Sequence, residues 1–116
     1  MDPLAHEMFE LARAGDAARL LEHVDAGVPV NLTDANGNTL LTLAAFHGHG
    51  GLVAGLAERG ADVNRLNNRS QSPLTGAIFQ GRESVARTLI GLGADPDHGV
   101  PTARETAAAL GRPLAT

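Results

Sequence analysis

The chain has 116 residues, a formal net charge of -4 and no cysteine. This length allows one compact domain or a short stack of repeats. The lack of cysteine excludes a disulfide framework, thiolate metal ligands and a cysteine nucleophile. The nine basic residues are scattered arginines, so the sequence does not predict nucleic-acid binding. Because the aromatic residues are only three phenylalanines, we expect a core of Ala, Leu, Val and Ile.

Residues 1–33 predict a pair of helices. Asp2 and Pro3 have the pattern of a helix start, and LARAGDAARLLEHVDAG supplies the rest of the pair. The segment has no unbroken apolar run, so it is not a signal peptide, and no later segment is long enough to span a bilayer. We therefore expect a cytoplasmic protein that does not enter a membrane. The lack of lysine and the frequent use of Ala and Gly are typical of a GC-rich bacterial genome.

An internal repeat begins in this first segment. The positions of Gly15, Gly48 and Gly81 differ by a constant amount, since 48 minus 15 equals 81 minus 48. This constant difference is here called the period. Further sets with the same spacing are Gly27, Gly60 and Gly93, and Asn31, Asn64 and Asp97. Such a period predicts a stack of similar structural units.

The second unit, residues 34–66, predicts two short helices followed by a polar turn. NTLLTLAAFHG forms the first helix, with Thr39 as the N-cap and Gly48 as the stop. GGLVAGLAERG forms the second, which its glycines weaken by roughly 1 kcal/mol each relative to alanine.

The third unit, residues 67–98, repeats this pattern. Ser72 is the predicted cap and Pro73 the first helical residue, and RESVARTLIGLG forms the second helix. The last unit, residues 99–116, aligns Thr102 with Thr39, but the step from Gly81 to Gly111 is three positions shorter than the period. This unit therefore predicts a single closing helix.

Residues 34–64, DANGNTLLTLAAFHGHGGLVAGLAERGADVN, resemble an ankyrin repeat. The matching positions are Asp34, Gly37, Thr39, Leu41, Ala44, Ala45, Gly48, His49 and 60–64, and in the third unit Ser72, Pro73, Leu74, Ala77, Gly81, Gly93, Ala94 and Asp95. Leu40 replaces the proline of the family's Thr-Pro-Leu-His, and Thr42 and Thr75 replace its histidine. The hydrogen bonds that this histidine makes to neighbouring turns therefore need other donors here.

The resemblance implies an all-α ankyrin-repeat solenoid of stacked helix-turn-helix units with short hairpin-like loops. It comprises two full repeats, 34–66 and 67–98, between an N-terminal cap (1–33) and a truncated C-terminal cap (99–116). The implied function is binding of another protein through the concave groove and loop tips, as a regulator, inhibitor or scaffold. No catalytic residue and no cofactor is implied, and we expect a monomer and not a homodimer.

The resemblance also implies which residues form the groove and tips. Phe46 and Phe79, one period apart, would be two exposed anchors, unless both rings fill the core between repeats. The predicted set is Ala35, Asn36, Asn38, Phe46, His47, Asn68, Arg69, Gln71, Phe79 and Gln80.

The segment FHGHGG suggests an alternative function. His47 and His49 could serve a metal- or ligand-binding protein or an enzyme, although residues two apart on a helix point to different faces and no nearby acid completes a site. The glycines imitate a phosphate loop, but Val53 breaks the dinucleotide pattern and the chain lacks the lysine of a Walker loop. We expect His49 to bind backbone at the bend and His47 to point outward.

Overall fold

The structure is a computed structural model that describes residues 2–114. Its helices are α1 (Pro3–Ala14), α2 (Ala17–Asp25), α3 (Leu40–Phe46), α4 (Gly50–Glu58), α5 (Pro73–Phe79), α6 (Glu83–Gly91) and α7 (Ala103–Ala109). Residues 2–114 contain no strand, only an isolated bridge between Thr33 and Thr39. None of these helices is long and apolar enough to cross a membrane.

The predicted caps start the inner helices. The side chains of Thr39 and Ser72 accept hydrogen bonds from the backbone N–H groups of Thr42 (3.1 Å) and Thr75 (3.0 Å). These bonds satisfy amides that a helix start otherwise leaves unpaired. Asp2 caps α1 in a similar way, through the N–H of Leu4.

The helices form two rows. The inner row consists of α1, α3, α5 and α7, each packed on the next, and the outer row consists of α2, α4 and α6. The resulting stack measures 40 × 24 × 20 Å. This arrangement confirms the predicted solenoid of helix-turn-helix units.

The core lies between the rows and between successive units. Leu41, Leu56, Leu74 and Leu89 are fully buried. The expectation of a core without aromatic residues was wrong, because Phe9 of α1 is 2% exposed. Phe9 stands one period before Thr42, so the first unit places a ring where the later units place a threonine.

Asparagine side chains tie the first unit to the second and the second to the third. Asn31 accepts a hydrogen bond from the N–H of Asp62 (2.9 Å), and Asn64 accepts one from the N–H of Asp95 (2.8 Å). Because the donor follows the acceptor by the same sequence separation in both cases, the period of the sequence is reproduced as a repeated contact.

The glycines of α4 do not interrupt the helix. At Gly55, a Cβ atom would lie 2.7 Å from a methyl carbon of Leu21 in the preceding unit. The missing side chain therefore allows α2 and α4 to approach closely, which offsets part of the expected loss in helix propensity.

Ser70 provides a test of the turn that precedes α5. It has a φ angle of 59°, in the left-handed region, and it stands one period after Gly37, whose φ is 77°. This conformation costs a non-glycine residue roughly 1–2 kcal/mol. We therefore expect Ser70→Gly to raise the free energy of unfolding by about 0.5–1 kcal/mol, the gain being reduced by the extra freedom of glycine in the unfolded chain.

The measurement is urea denaturation followed by circular dichroism. Ser84→Gly is the matched control, because Ser84 lies in the first turn of α6 and has no left-handed φ to relieve, so the same change there should cost up to about 0.5 kcal/mol. Equal destabilisation of both variants would contradict the strain assigned to Ser70.

Candidate partner-binding groove

Two adjacent clefts lie where the loop tips meet the inner helices. The first, here called the amide cleft, measures about 240 Å³ and is lined by Asn36, Asn38, Phe46, Asn67, Asn68, Arg69 and Gln71. The second, the apolar cleft, also measures about 240 Å³ and is lined by Arg69, Gln71, Thr75, Phe79, Val100, Pro101 and Thr106. Because Arg69 and Gln71 line both, the two clefts are neighbours, and together they are here called the groove.

Asparagines hold the tips of the second and third units together. Asn67 Nδ2 donates to Asn38 Oδ1 (2.9 Å), and the backbone N–H of Asn68 donates to the carbonyl of Asn36 (3.0 Å). Asn68 Nδ2 donates to the carbonyl of Ala35 (3.1 Å). The wall of the amide cleft is thus built by contacts between units.

The two phenylalanines occupy different environments. Phe46 is half-buried because its ring lies on Gly76 of the next inner helix, where a Cβ atom would overlap it. Phe79 is 64% exposed. Thr106 precedes Gly111 by five positions, as Gly76 precedes Gly81, so α7 presents a side chain where α5 offers a glycine. Of the two expected exposed anchors, Phe79 is exposed and Phe46 is half-buried, so neither the expectation nor its alternative describes both rings.

His47 and Gln80 are exposed where α3 and α5 end. Neither residue lines the two clefts. Partial burial, followed by the charges of His49 and two arginines, lowers the pKa of His47 below its usual value. The lowered pKa favours the neutral form of its imidazole.

His49 links the second unit to the first. Its Nε2 donates to the carbonyl oxygen of Arg13 at 2.7 Å, and its ring lies over Gly15, where a Cβ atom would overlap it. Arg82, one period later, makes the equivalent contact, since its Nε donates to the carbonyl of Phe46 at 3.2 Å. The expectation that His49 binds backbone at the bend is confirmed.

The same geometry bears on the metal-binding alternative. The Nε2 of His49 is engaged by the Arg13 carbonyl, so the ring does not present it to a metal shared with His47. Within residues 2–114, no group of three or more histidine or carboxylate side chains could hold a metal ion.

Comparison with known families agrees with this architecture. The family described as "Ankyrin repeats (3 copies)" matches residues 8–99. The chain belongs to the ankyrin repeat family. Ankyrin repeats are in general protein–protein interaction modules and are typically not enzymes.

Several known proteins are similar in sequence to this chain. The E3 ubiquitin-protein ligase Ufd4 of Drosophila melanogaster is 37% identical over 97 residues. The putative ankyrin repeat protein PA3287 of Pseudomonas aeruginosa is 44% identical over 48 residues, and a putative ankyrin repeat-containing protein of Treponema pallidum is 41% identical over 75. These matches cover 83%, 41% and 64% of this chain but only 4%, 28% and 25% of the relatives.

The ankyrin structure brings most of the residues predicted from the sequence to the two clefts. Of the ten, Ala35 supports the amide cleft through its carbonyl, His47 and Gln80 lie outside both clefts, and the other seven line them. The cleft residues that the sequence reasoning missed are Asn67, Thr75, Val100, Pro101 and Thr106. Pro101 could have been predicted from the sequence. The shortened step from Gly81 to Gly111 aligns Pro101 with Gln71, which was already a predicted groove residue.

The contact between the Phe46 ring and Gly76 can be tested by changing two glycines to alanine, Gly76 beneath the ring and Gly91 away from it. We expect Gly76→Ala to lower the free energy of unfolding by about 1–3 kcal/mol, because the new methyl group displaces the ring. Gly91→Ala, in α6, meets nothing within 4 Å and should raise stability by about 0.5 kcal/mol. Urea denaturation measures both.

Changes of opposite sign in the free energy of unfolding would support the contact between Phe46 and Gly76, and equal changes would contradict it. If the ring is the obstacle, adding Phe46→Ala to Gly76→Ala should cost less than the sum of the two single changes.

The hydrogen bond of His49 to the Arg13 carbonyl predicts a difference in stability between variants of His49 and His47. We expect His49→Ala to lower the free energy of unfolding by about 1–2 kcal/mol, because the Arg13 carbonyl loses its partner. His49→Arg should lose less, since Arg82 makes the same bond one unit later. His47→Ala is the exposed control and should stay within about 0.5 kcal/mol of wild type.

Thermal unfolding with and without Zn²⁺ completes this experiment. A rise in Tm that requires both histidines would contradict the structural role of His49 and support the metal-binding alternative.

Proposed function

We propose that this ankyrin chain binds a partner protein through the groove formed by the amide cleft and the apolar cleft. The observation that carries the proposal is the exposed apolar surface of the second cleft. Phe79 and Val100, which are 64% and 73% exposed, line it together. Large apolar side chains grouped in a concave surface are characteristic of interaction sites.

The size of the clefts favours side chains of a protein over a cofactor. Each measures about 240 Å³, whereas small-molecule sites usually enclose about 300–1,000 Å³. Two such clefts side by side suit successive residues of a partner chain. This supports a protein as the occupant.

The proposed mechanism is regulation by occupancy. An ankyrin chain that covers a surface of its partner acts as an inhibitor or masking protein, and one that holds two proteins acts as a scaffold. The proposed binding surface consists of the ten groove and tip residues predicted from the sequence together with the five further cleft residues. A monomeric state and a cytoplasmic location also belong to this proposal.

Affinity capture tests the proposal. The immobilised chain is incubated with a lysate of the source cell, and retained proteins are quantified by mass spectrometry for wild type and Phe79→Ser. We expect at least one protein to be retained by wild type and reduced about tenfold or more by Phe79→Ser, because an exposed aromatic anchor is lost.

Leu92→Ser is the matched control. Leu92 is also an exposed apolar residue, but it caps the outer helix α6 and lines neither cleft. Both variants should unfold at the same temperature as wild type. The proposal fails if no captured protein distinguishes Phe79→Ser from Leu92→Ser.

A further inference from the structure

The groove contains an isolated positive charge. Arg69 is exposed, lines both clefts, and its guanidinium contacts no acceptor within residues 2–114. It is the only charged residue among those lining the two clefts. At the corresponding turn the second unit has Asp34, one period before Asn67, so the third unit replaces a carboxylate by a neutral amide.

Amide donors lie beside this charge. Asn67 keeps the turn bonds that Asp34 makes, accepting from the N–H groups of Arg69 (2.9 Å) and Gln71 (3.1 Å). The side-chain nitrogens of Asn38 and Gln71 donate to no other residue in the described chain. The groove therefore offers a guanidinium and two side-chain amide NH2 groups, and no carboxylate is among the described residues that line it.

The apolar cleft begins directly next to Arg69. Its wall carries Phe79 and Val100, both exposed, and α7 has Thr106 at the position where α5 has Gly76, the residue on which the Phe46 ring lies. An apolar side chain of a partner would bury these two surfaces. The same partner chain would then pass Arg69, which belongs to both clefts.

We propose that the groove recognises an extended acidic segment of the partner protein, in which an apolar side chain enters the apolar cleft and a neighbouring Asp or Glu carboxylate binds Arg69. Asn38 and Gln71 donate to this carboxylate or to backbone carbonyls of the segment. The inference rests on the proposed protein-binding function and adds the chemistry of the partner. Charge complementarity decides for an acidic segment, because a basic one would face Arg69 without a neutralising group.

Peptide selection tests this chemistry without knowledge of the partner. Random peptides displayed on phage are selected on the immobilised full chain. We expect enriched sequences to contain Asp or Glu next to Leu, Ile, Met or Phe. One enriched peptide is then synthesised in three versions. The parent keeps the selected sequence, the amide peptide has its Asp or Glu changed to Asn or Gln, and the alanine peptide has its apolar residue changed to alanine.

Fluorescence anisotropy then gives the affinity of each peptide for wild type, Arg69→Gln, Phe79→Ser and the control Arg65→Gln. Arg65 is an exposed arginine that lines neither cleft. We expect Arg69→Gln to weaken the parent peptide about tenfold and to leave the affinity of the amide peptide unchanged. Phe79→Ser should weaken the parent peptide by a similar factor and leave the affinity of the alanine peptide unchanged. Arg65→Gln should change the affinity of no peptide.

Three results would overturn the inference: enrichment of no sequence, enrichment of sequences without an acid, or equal effects of Arg69→Gln and Arg65→Gln. Light scattering provides a fourth, since a dimer that Phe79→Ser abolishes would identify a second copy as the occupant. A lysate protein that Phe79→Ser no longer retains but Arg69→Gln still retains would overturn the inference that the partner segment is acidic. The proposed protein-binding function would then still stand.

Discussion

The stack depends on the constant spacing of its first three units, because an inner helix as short as α3 or α5 can bury its apolar side only against neighbours. Side chains that cross from one unit to the next hold this spacing. Asn31 and Asn64 accept backbone N–H groups of the following unit, and His49 and Arg82 donate to backbone carbonyls of the preceding one. The residues that make these contacts recur one period apart in the sequence. Each contact contributes a modest free energy, and the contacts recur from one unit to the next.

The repeated contacts constrain geometry more than residue type. The imidazole of His49 and the guanidinium of Arg82 are different groups, yet each donates across a left-handed glycine to a carbonyl at the same sequence separation in the preceding unit. Thr75, which replaces the family's histidine, still reaches the next turn, since its Oγ1 donates to the carbonyl of Pro101 at 3.3 Å. A histidine in FHGHGG is therefore a structural link, and its conspicuous chemistry does not make it a ligand.

The features that suggest function lie where the units differ. Gly76 lets the Phe46 ring pack on the next inner helix, whereas α7 has Thr106 at the corresponding position and Phe79 is exposed. Val100 of the shortened last unit lines the same cleft as Phe79. The exchange of Asp34 for Asn67 removes a negative charge beside Arg69. These departures from the repeat create an apolar cleft with a cationic edge. Identical units would have offered no such asymmetric surface.

The sequence by itself determined the fold, because the constant period, the Thr39 and Ser72 caps and the left-handed glycines act locally and recur in each unit. It also determined the approximate position of the groove and the bond of His49 to backbone. The tertiary structure alone decided that Phe46 is half-buried and Phe79 exposed, since the space open to each ring depends on the next unit, which has Gly76 beneath the first ring and Thr106 at the corresponding position after the second. It likewise decided that Phe9 is core and that Val100 joins the groove, because burial depends on what packs opposite a residue, which its own neighbours in sequence do not specify.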